Sequence, residues 1–199
     1  MVGYYGPAMI LTYLNIVSSL VGMHLVLTGN LTGAVIMLML SGFFDMFDGA
    51  VARMKQRSDR ERNYGIQVDS LADIVSFGMF PVIIGYTIGL KERAYIPVLI
   101  CYVLAGVIRL SYFNATELEN QQKQVKRTHY MGLPITSVTI ILPIVIFFAN
   151  RSVFFPDIYA ITLLVLSVLF VLRVKVPKPQ VSEVIVKRLL LIRSQIRRR

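Results

Sequence analysis

Six stretches of this 199-residue chain run apolar for about twenty residues or more, and that repetition restricts the fold more than any other feature. At 1.5 Å of rise per residue, about twenty helical residues match the hydrocarbon thickness of a bilayer. A chain crossing hydrocarbon has no water to satisfy its backbone, so such runs fold as helices. The runs lie at about Met9–Thr28, Leu31–Arg53, Tyr64–Leu90, Ala94–Ala115, Met131–Ala149 and Asp157–Val174. The composition agrees. The chain is 55% hydrophobic with a mean hydropathy of +0.64, too apolar for an ordinary water-soluble domain. The expected fold is therefore an all-α integral membrane protein of six transmembrane helices. The first run lacks a basic leader region and a small-residue cleavage site, so it reads as a retained span. The single cysteine, Cys101, has no partner for an intrachain disulfide.

Charge sets the expected orientation. Sixteen of the 21 Lys and Arg residues fall in segments 54–63, 116–129 and 173–199, all on one side of a six-span topology. The opposite turns hold Lys91, Arg93 and Arg151, while Arg53 and Arg109 lie within spans. The positive-inside rule then places both termini in the cytoplasm. The net charge of +10 reads as cytoplasmic loops against anionic lipid, not as a nucleic-acid surface. Residues 1–174 form the expected membrane domain. Residues 175–199 form a basic tail, where Val181, Val184, Ile185, Leu189, Ile192 and Ile196 recur at the spacing of an amphipathic interfacial helix.

Four acids interrupt this apolar background. Asp45 and Asp48 are three residues apart near the end of span 2, and Asp69 and Asp73 are four apart near the start of span 3. Each pair shares a helix face. Spans 2 and 3 meet at the cytoplasmic side, so all four acids fall at one depth, roughly 5–15 Å below that boundary. Ionisable groups are costly in a membrane and mark functional sites there. Four carboxylates together need a cation, and an all-oxygen set suits a hard divalent metal. Carboxylate-held metals suit transfer at a diphosphate, where they offset charge and hold the leaving oxygen. The residues alone thus point to a metal-dependent membrane transferase acting on a diphosphate-linked lipid or nucleotide. An ion-coupled transporter is the reading from another class, although no repeat of the kind transporters use is visible.

The pattern Asp45-x-x-Asp48-Gly49-x-x-Ala52-Arg53 … Gly65-x-x-x-Asp69-x-x-x-Asp73 resembles the signature of the CDP-alcohol phosphatidyltransferase family. One departure stands out: eleven residues separate Arg53 from Gly65, where the family usually has eight. The flanks, Val68 to Gly78, Arg109 to Asn114, Gly132-Leu133-Pro134 and Leu11 to Asn15, resemble the branch of that family that makes phosphatidylserine. The resemblance implies six helices, a homodimer, and a two-metal site for Mg²⁺ or Mn²⁺. It implies CDP-diacylglycerol, or an ether-linked CDP-archaeol lipid, as donor, L-serine as acceptor and CMP as product, at the cell membrane. It assigns Asp45, Asp48, Asp69 and Asp73 to the metals, with Asp73 also as catalytic base. Asn15, Asp48, Gly49, Ala52, Arg53, Gly65 and Asp69 would line the CDP site. Arg109, the only basic residue deep in spans 4 to 6, reads as the partner of the serine carboxylate, or else of the aspartates or the lipid phosphate, with Asn114, Gly132 and Pro134 completing the serine site. Glycerol phosphate or inositol phosphate is the alternative acceptor within the family. His129 reads as an interfacial histidine and His24 as a packed polar residue of span 1.

Overall fold

Each helix begins and ends where local chemistry directs it, as seen in a computed structural model that describes residues 3–4, 6–52, 58–123, 129–131, 133–172 and 175–177. Helix α1 (Pro7–Leu27) opens on proline, which needs no hydrogen bond in the first turn. It stops at Gly29, whose φ of +88° suits glycine. Asn30 then caps α2 (Leu31–Ala52) by accepting from the Gly33 N–H at 2.8 Å. The two helices form an antiparallel pair along most of their length. Gly22 lets α1 approach closely, since a Cβ there would lie 2.3 Å from the Phe80 ring.

The next helix runs unbroken over Asp59–Ile88 in three parts. These are α3 (Asp59–Asp73), a π-helical turn (Ile74–Met79) and α4 (Phe80–Ile88). A 28-residue α5 (Ile96–Lys123) follows. After strand β1 (His129–Met131) come a 3₁₀ turn (Ile135–Ser137), α6 (Val138–Ala149), α7 (Phe155–Val171) and strand β2 (Lys175–Pro177). The Tyr95 hydroxyl donates to Asp157 Oδ1 at 2.5 Å, tying the turn before α5 to the start of α7. That bond pushes the phenol above its ordinary pKa.

Leu38, Phe77, Phe80, Ile84, Tyr102, Leu142, Tyr159 and Leu163 are buried in one core. The outer surface is equally apolar, with Ile10, Leu20, Ile36, Ile108, Ile140, Phe147 and Val168 all exposed. A surface of that kind belongs in hydrocarbon. The chain is an all-helical, multi-pass membrane protein.

Three sequence expectations need correction. Among the described residues, four helices are long and apolar enough to cross a membrane, namely Pro7–Leu27, Leu31–Ala52, Asp59–Ile88 and Ile96–Glu119. The last two apolar helices are short, because Pro134 holds an extended backbone (ψ 138°) and delays the fifth helix until Ile135. Residues 59–63, expected in a loop, are helical: Ser58 caps the Glu61 N–H at 3.3 Å, and Asp59 and Glu61 sit in the first turn, where the helix dipole favours acids. Residues 116–123, also expected in a loop, continue α5, since Glu117 to Lys123 contains no glycine or proline to stop it. Two three-residue strands accompany the helices. β1 and β2 pair antiparallel with Tyr130 opposite Val176, so Lys175–Pro177 folds back onto the segment after α5. The tail helix expected from Val181 to Ile196 lies outside the described residues.

Candidate active site

The end of α2 and the lower half of α3 carry the acids, and the fold brings them together. Ligand oxygens of Asp45, Asp48 and Asp69 lie within 4.8 Å of one another. Asp73 is buried beside them, its carboxyl in hydrogen-bond contact with that of Asp45. Two carboxylate oxygens, Asp69 Oδ1 and Asp73 Oδ1, are buried without a hydrogen-bond partner. Buried acceptors of this kind are normally satisfied. Converging carboxylates with unpartnered oxygens fit divalent cations, whose ligands are oxygen atoms.

Helix α1 supplies the third wall. The Thr12 hydroxyl donates to Asp48 Oδ2 at 2.7 Å, with both residues buried. Asn15 follows one turn later and is fully buried, with its Oδ1 accepting from Ser41 of α2 at 2.5 Å. Gly49 and Ala52 are half-buried at the end of α2, and Gly65 is buried on α3 one turn before Asp69. Arg53 lies outside the described residues.

The π-helical turn begins directly after Asp73. Its origin is readable. In an α-helix the Phe77 carbonyl would accept from the N–H four residues on, but that residue is Pro81, which has none. The Tyr102 hydroxyl of α5 donates to the Phe77 carbonyl instead, at 2.6 Å. Extra turns of this type are frequent at functional sites.

The serine-site candidates sit on α5 and the segment after β1. Arg109 is buried, and its Nε donates to the Leu133 carbonyl. The Leu133 N–H donates to Leu169 of α7 at 3.2 Å, so Arg109 and α7 grip the residue before Pro134 from two sides. Asn114 accepts from the Ser70 hydroxyl at 2.8 Å, and Ser70 directly follows Asp69. Arg109 and Asn114 thus lie on the helix that packs against α3 and the π turn. Gly132 lies outside the described residues, as does the His129 side chain.

Sequence reasoning missed Thr12, Ser41 and Ser70 as parts of this arrangement. A signal existed for the first two: they are polar residues in otherwise apolar runs. Their partners, 36 and 26 residues distant, could not be read without the packing of α1 on α2. An apolar cavity of about 520 Å³ lies far from the acids, between the start of α2 (Leu31, Val35) and the end of α6 (Phe147, Phe148).

A family model for CDP-alcohol phosphatidyltransferase matches residues 7–173. Among curated proteins, the CDP-diacylglycerol–serine O-phosphatidyltransferase of Bacillus subtilis is 33% identical over 175 residues, covering 87% of this chain and 90% of that protein. The enzyme of the same name from Saccharomyces cerevisiae is 37% identical over 53% of this chain and 38% of its own length. The archaetidylserine synthase of Methanothermobacter thermautotrophicus is 39% identical over 53% of this chain and 45% of its own length.

Proposed function

The chain belongs to the CDP-alcohol phosphatidyltransferase family, and from that premise we propose that it is a phosphatidylserine synthase. It transfers the phosphatidyl group of CDP-diacylglycerol, or of an ether-lipid equivalent, to the hydroxyl of L-serine and releases CMP. The convergence of Asp45, Asp48 and Asp69 within 4.8 Å carries this reading, in a chain similar along 87% of its length to a relative named for serine.

Asp45, Asp48, Asp69 and Asp73 would hold Mg²⁺ or Mn²⁺. Bound there, the metals offset the negative charge of the diphosphate and of the departing CMP. Asp73 is the base. It takes the proton of the serine hydroxyl, and the freed oxygen attacks the β-phosphorus of the CDP-lipid. The new bond joins the serine oxygen to that phosphorus. The bond that breaks joins the phosphorus to the bridging oxygen, which leaves with CMP. Asn15, Gly49, Ala52, Arg53 and Gly65 line the CDP site. Arg109 binds the serine carboxylate, a match of guanidinium to carboxylate, with Asn114, Gly132 and Pro134 around it. The protein lies in the cell membrane as a homodimer with both termini and the acids toward the cytoplasm. Its donor and acceptor are a lipid and a small polar alcohol, with no nucleic acid involved.

The test is CMP release from CDP-diacylglycerol by purified protein with Mg²⁺ or Mn²⁺, offering L-serine, glycerol 3-phosphate and inositol phosphate in parallel. Release with serine alone, lost at least a thousandfold in Asp73→Asn, is the expected result, by the scale of lost general-base and metal-site groups. Release with a phosphorylated acceptor instead would discard the serine assignment. No release with any acceptor would return attention to ion-coupled transport.

A further inference from the structure

We infer that Ser19 and Ser41 form a directional hydrogen-bond relay that aims the Asn15 amide nitrogen at the CDP-lipid. The inference rests on the CDP-site reading above and adds two residues that no motif assigns.

The relay lies between α1 and α2. The Ser19 hydroxyl donates to Ser41 Oγ at 2.9 Å, and the Ser41 hydroxyl donates to Asn15 Oδ1 at 2.5 Å. Ser19, Ser41 and Asn15 are all fully buried. A hydroxyl has a single proton to give. With Ser19 giving its proton to Ser41 and Ser41 giving its own to Asn15, the relay runs one way and ends on the amide oxygen. The amide can then turn only one way, with its nitrogen away from the relay. That nitrogen, Asn15 Nδ2, is buried and has no hydrogen-bond partner. Two N–H donors left bare in a membrane interior are costly, which points to an acceptor that arrives with a ligand.

Position says which ligand. Asn15 is one helical turn from Thr12, which holds Asp48, and Ser41 is one turn from Asp45 on the same face of α2. The bare amide therefore stands at the level of the carboxylates. The ligand brought to that level is the diphosphate of the CDP-lipid, whose oxygens are acceptors only. An amide N–H can bind them without adding charge beside the metals. The relay thus makes Ser19 and Ser41 positioning residues for donor binding, with no part in the proton transfer at Asp73.

The experiment compares wild type, Ser41→Ala, Ser19→Ala and Asn15→Asp as full-length protein in lipid nanodiscs. Each is assayed for CMP release at varied CDP-diacylglycerol and varied L-serine, and for binding of soluble CDP with Mg²⁺ by calorimetry. Ser41→Ala is expected to raise the KM for the CDP-lipid and the Kd for CDP about tenfold, the worth of one neutral hydrogen bond in a dry site. Its kcat and KM for serine should stay within about twofold. Asn15→Asp, which keeps the relay's acceptor but replaces the donors, should lose CDP binding outright. Ser19→Ala should show a smaller effect in the same direction as Ser41→Ala. An unchanged KM and Kd in Ser41→Ala, with wild type active, would overturn the relay alone. An equal loss of kcat with both KM values unchanged would reassign the residues to packing. Failure of wild type to release CMP or to bind CDP would instead overturn the functional reading, and the relay with it. If Ser41→Ala does not fold, Ser19→Ala and Asn15→Asp decide on the same readouts.

Discussion

A candidate metal-binding carboxylate depends on the groups that orient it, and for Asp48 one of these is Thr12. The Thr12 hydroxyl occupies Asp48 Oδ2 at 2.7 Å and so fixes which way the carboxylate faces. Outer partners of this kind typically change metal affinity by about 10–100-fold when removed. Thr12→Val keeps the shape of the side chain and removes the donor. It should raise the Mn²⁺ concentration needed for half-maximal activity, and the Kd for Mn²⁺ followed by electron paramagnetic resonance, at least roughly tenfold. Thr12→Ser should restore both. Unchanged Mn²⁺ binding in Thr12→Val would mean that Asp48 is held by other contacts. At this scale the sequence was most legible where the chemistry is most exacting. The four acids could be picked out because nothing apolar substitutes for a carboxylate in a span, and their convergence followed from depth alone. Thr12 could not be assigned because a threonine in a span can equally bond its own helix, and the Ala8 carbonyl lies within reach of this one at 3.2 Å.

The π-helical turn directly follows Asp73, the proposed base, and α5 braces it through Tyr102. Pro81 removes the N–H that the Phe77 carbonyl would accept from, and the buried Tyr102 hydroxyl replaces it. Tyr102→Phe keeps the ring and leaves that carbonyl unsatisfied, which costs about 1–3 kcal/mol. The melting temperature in detergent should therefore fall by roughly 2–12 °C for a domain of this size. Activity should fall further than stability does, because Asp73 is the residue directly before the turn. A variant as stable and as active as wild type would show that the turn needs no outside donor. Pro81 was visible in the sequence within a span, but a proline there predicts only a kink or a break. The π turn depends on Tyr102, 25 residues away, reaching the freed carbonyl, and no local pattern encodes that. The early start of α3 was, by contrast, locally written in Ser58-x-x-Glu61. It was overlooked because the apolar run begins later than the helix does.

For the whole molecule, hydropathy gave the number of helical rods but not their lengths. The fifth and sixth, Ile135–Ala149 and Phe155–Val171, are shorter than the other four. At 1.5 Å per residue, fifteen residues reach only about 22 Å of the roughly 30 Å of hydrocarbon. The turn joining them resolves the mismatch, since Val153 and Phe154 are 92% and 68% exposed and both are apolar. Apolar residues exposed on a turn suit the membrane boundary better than water, and an arginine such as Arg151 can extend its charged end from there. Charge sets the expected orientation, and orientation decides whether the acids meet a soluble substrate pool inside the cell. Arg60 lies in the exposed first turn of α3 at the acid end, and Glu92 is exposed in the turn before α5 at the opposite end. In a Cys101→Ser background, which removes the native thiol, Arg60→Cys and Glu92→Cys each offer one reporter. The excess of basic residues at the acid end predicts that a membrane-impermeant maleimide labels Glu92→Cys in intact cells and Arg60→Cys only after permeabilisation. The reverse pattern would turn the carboxylates to the outside, away from cytoplasmic serine and CTP-derived donors, and the synthase reading would fall with the orientation.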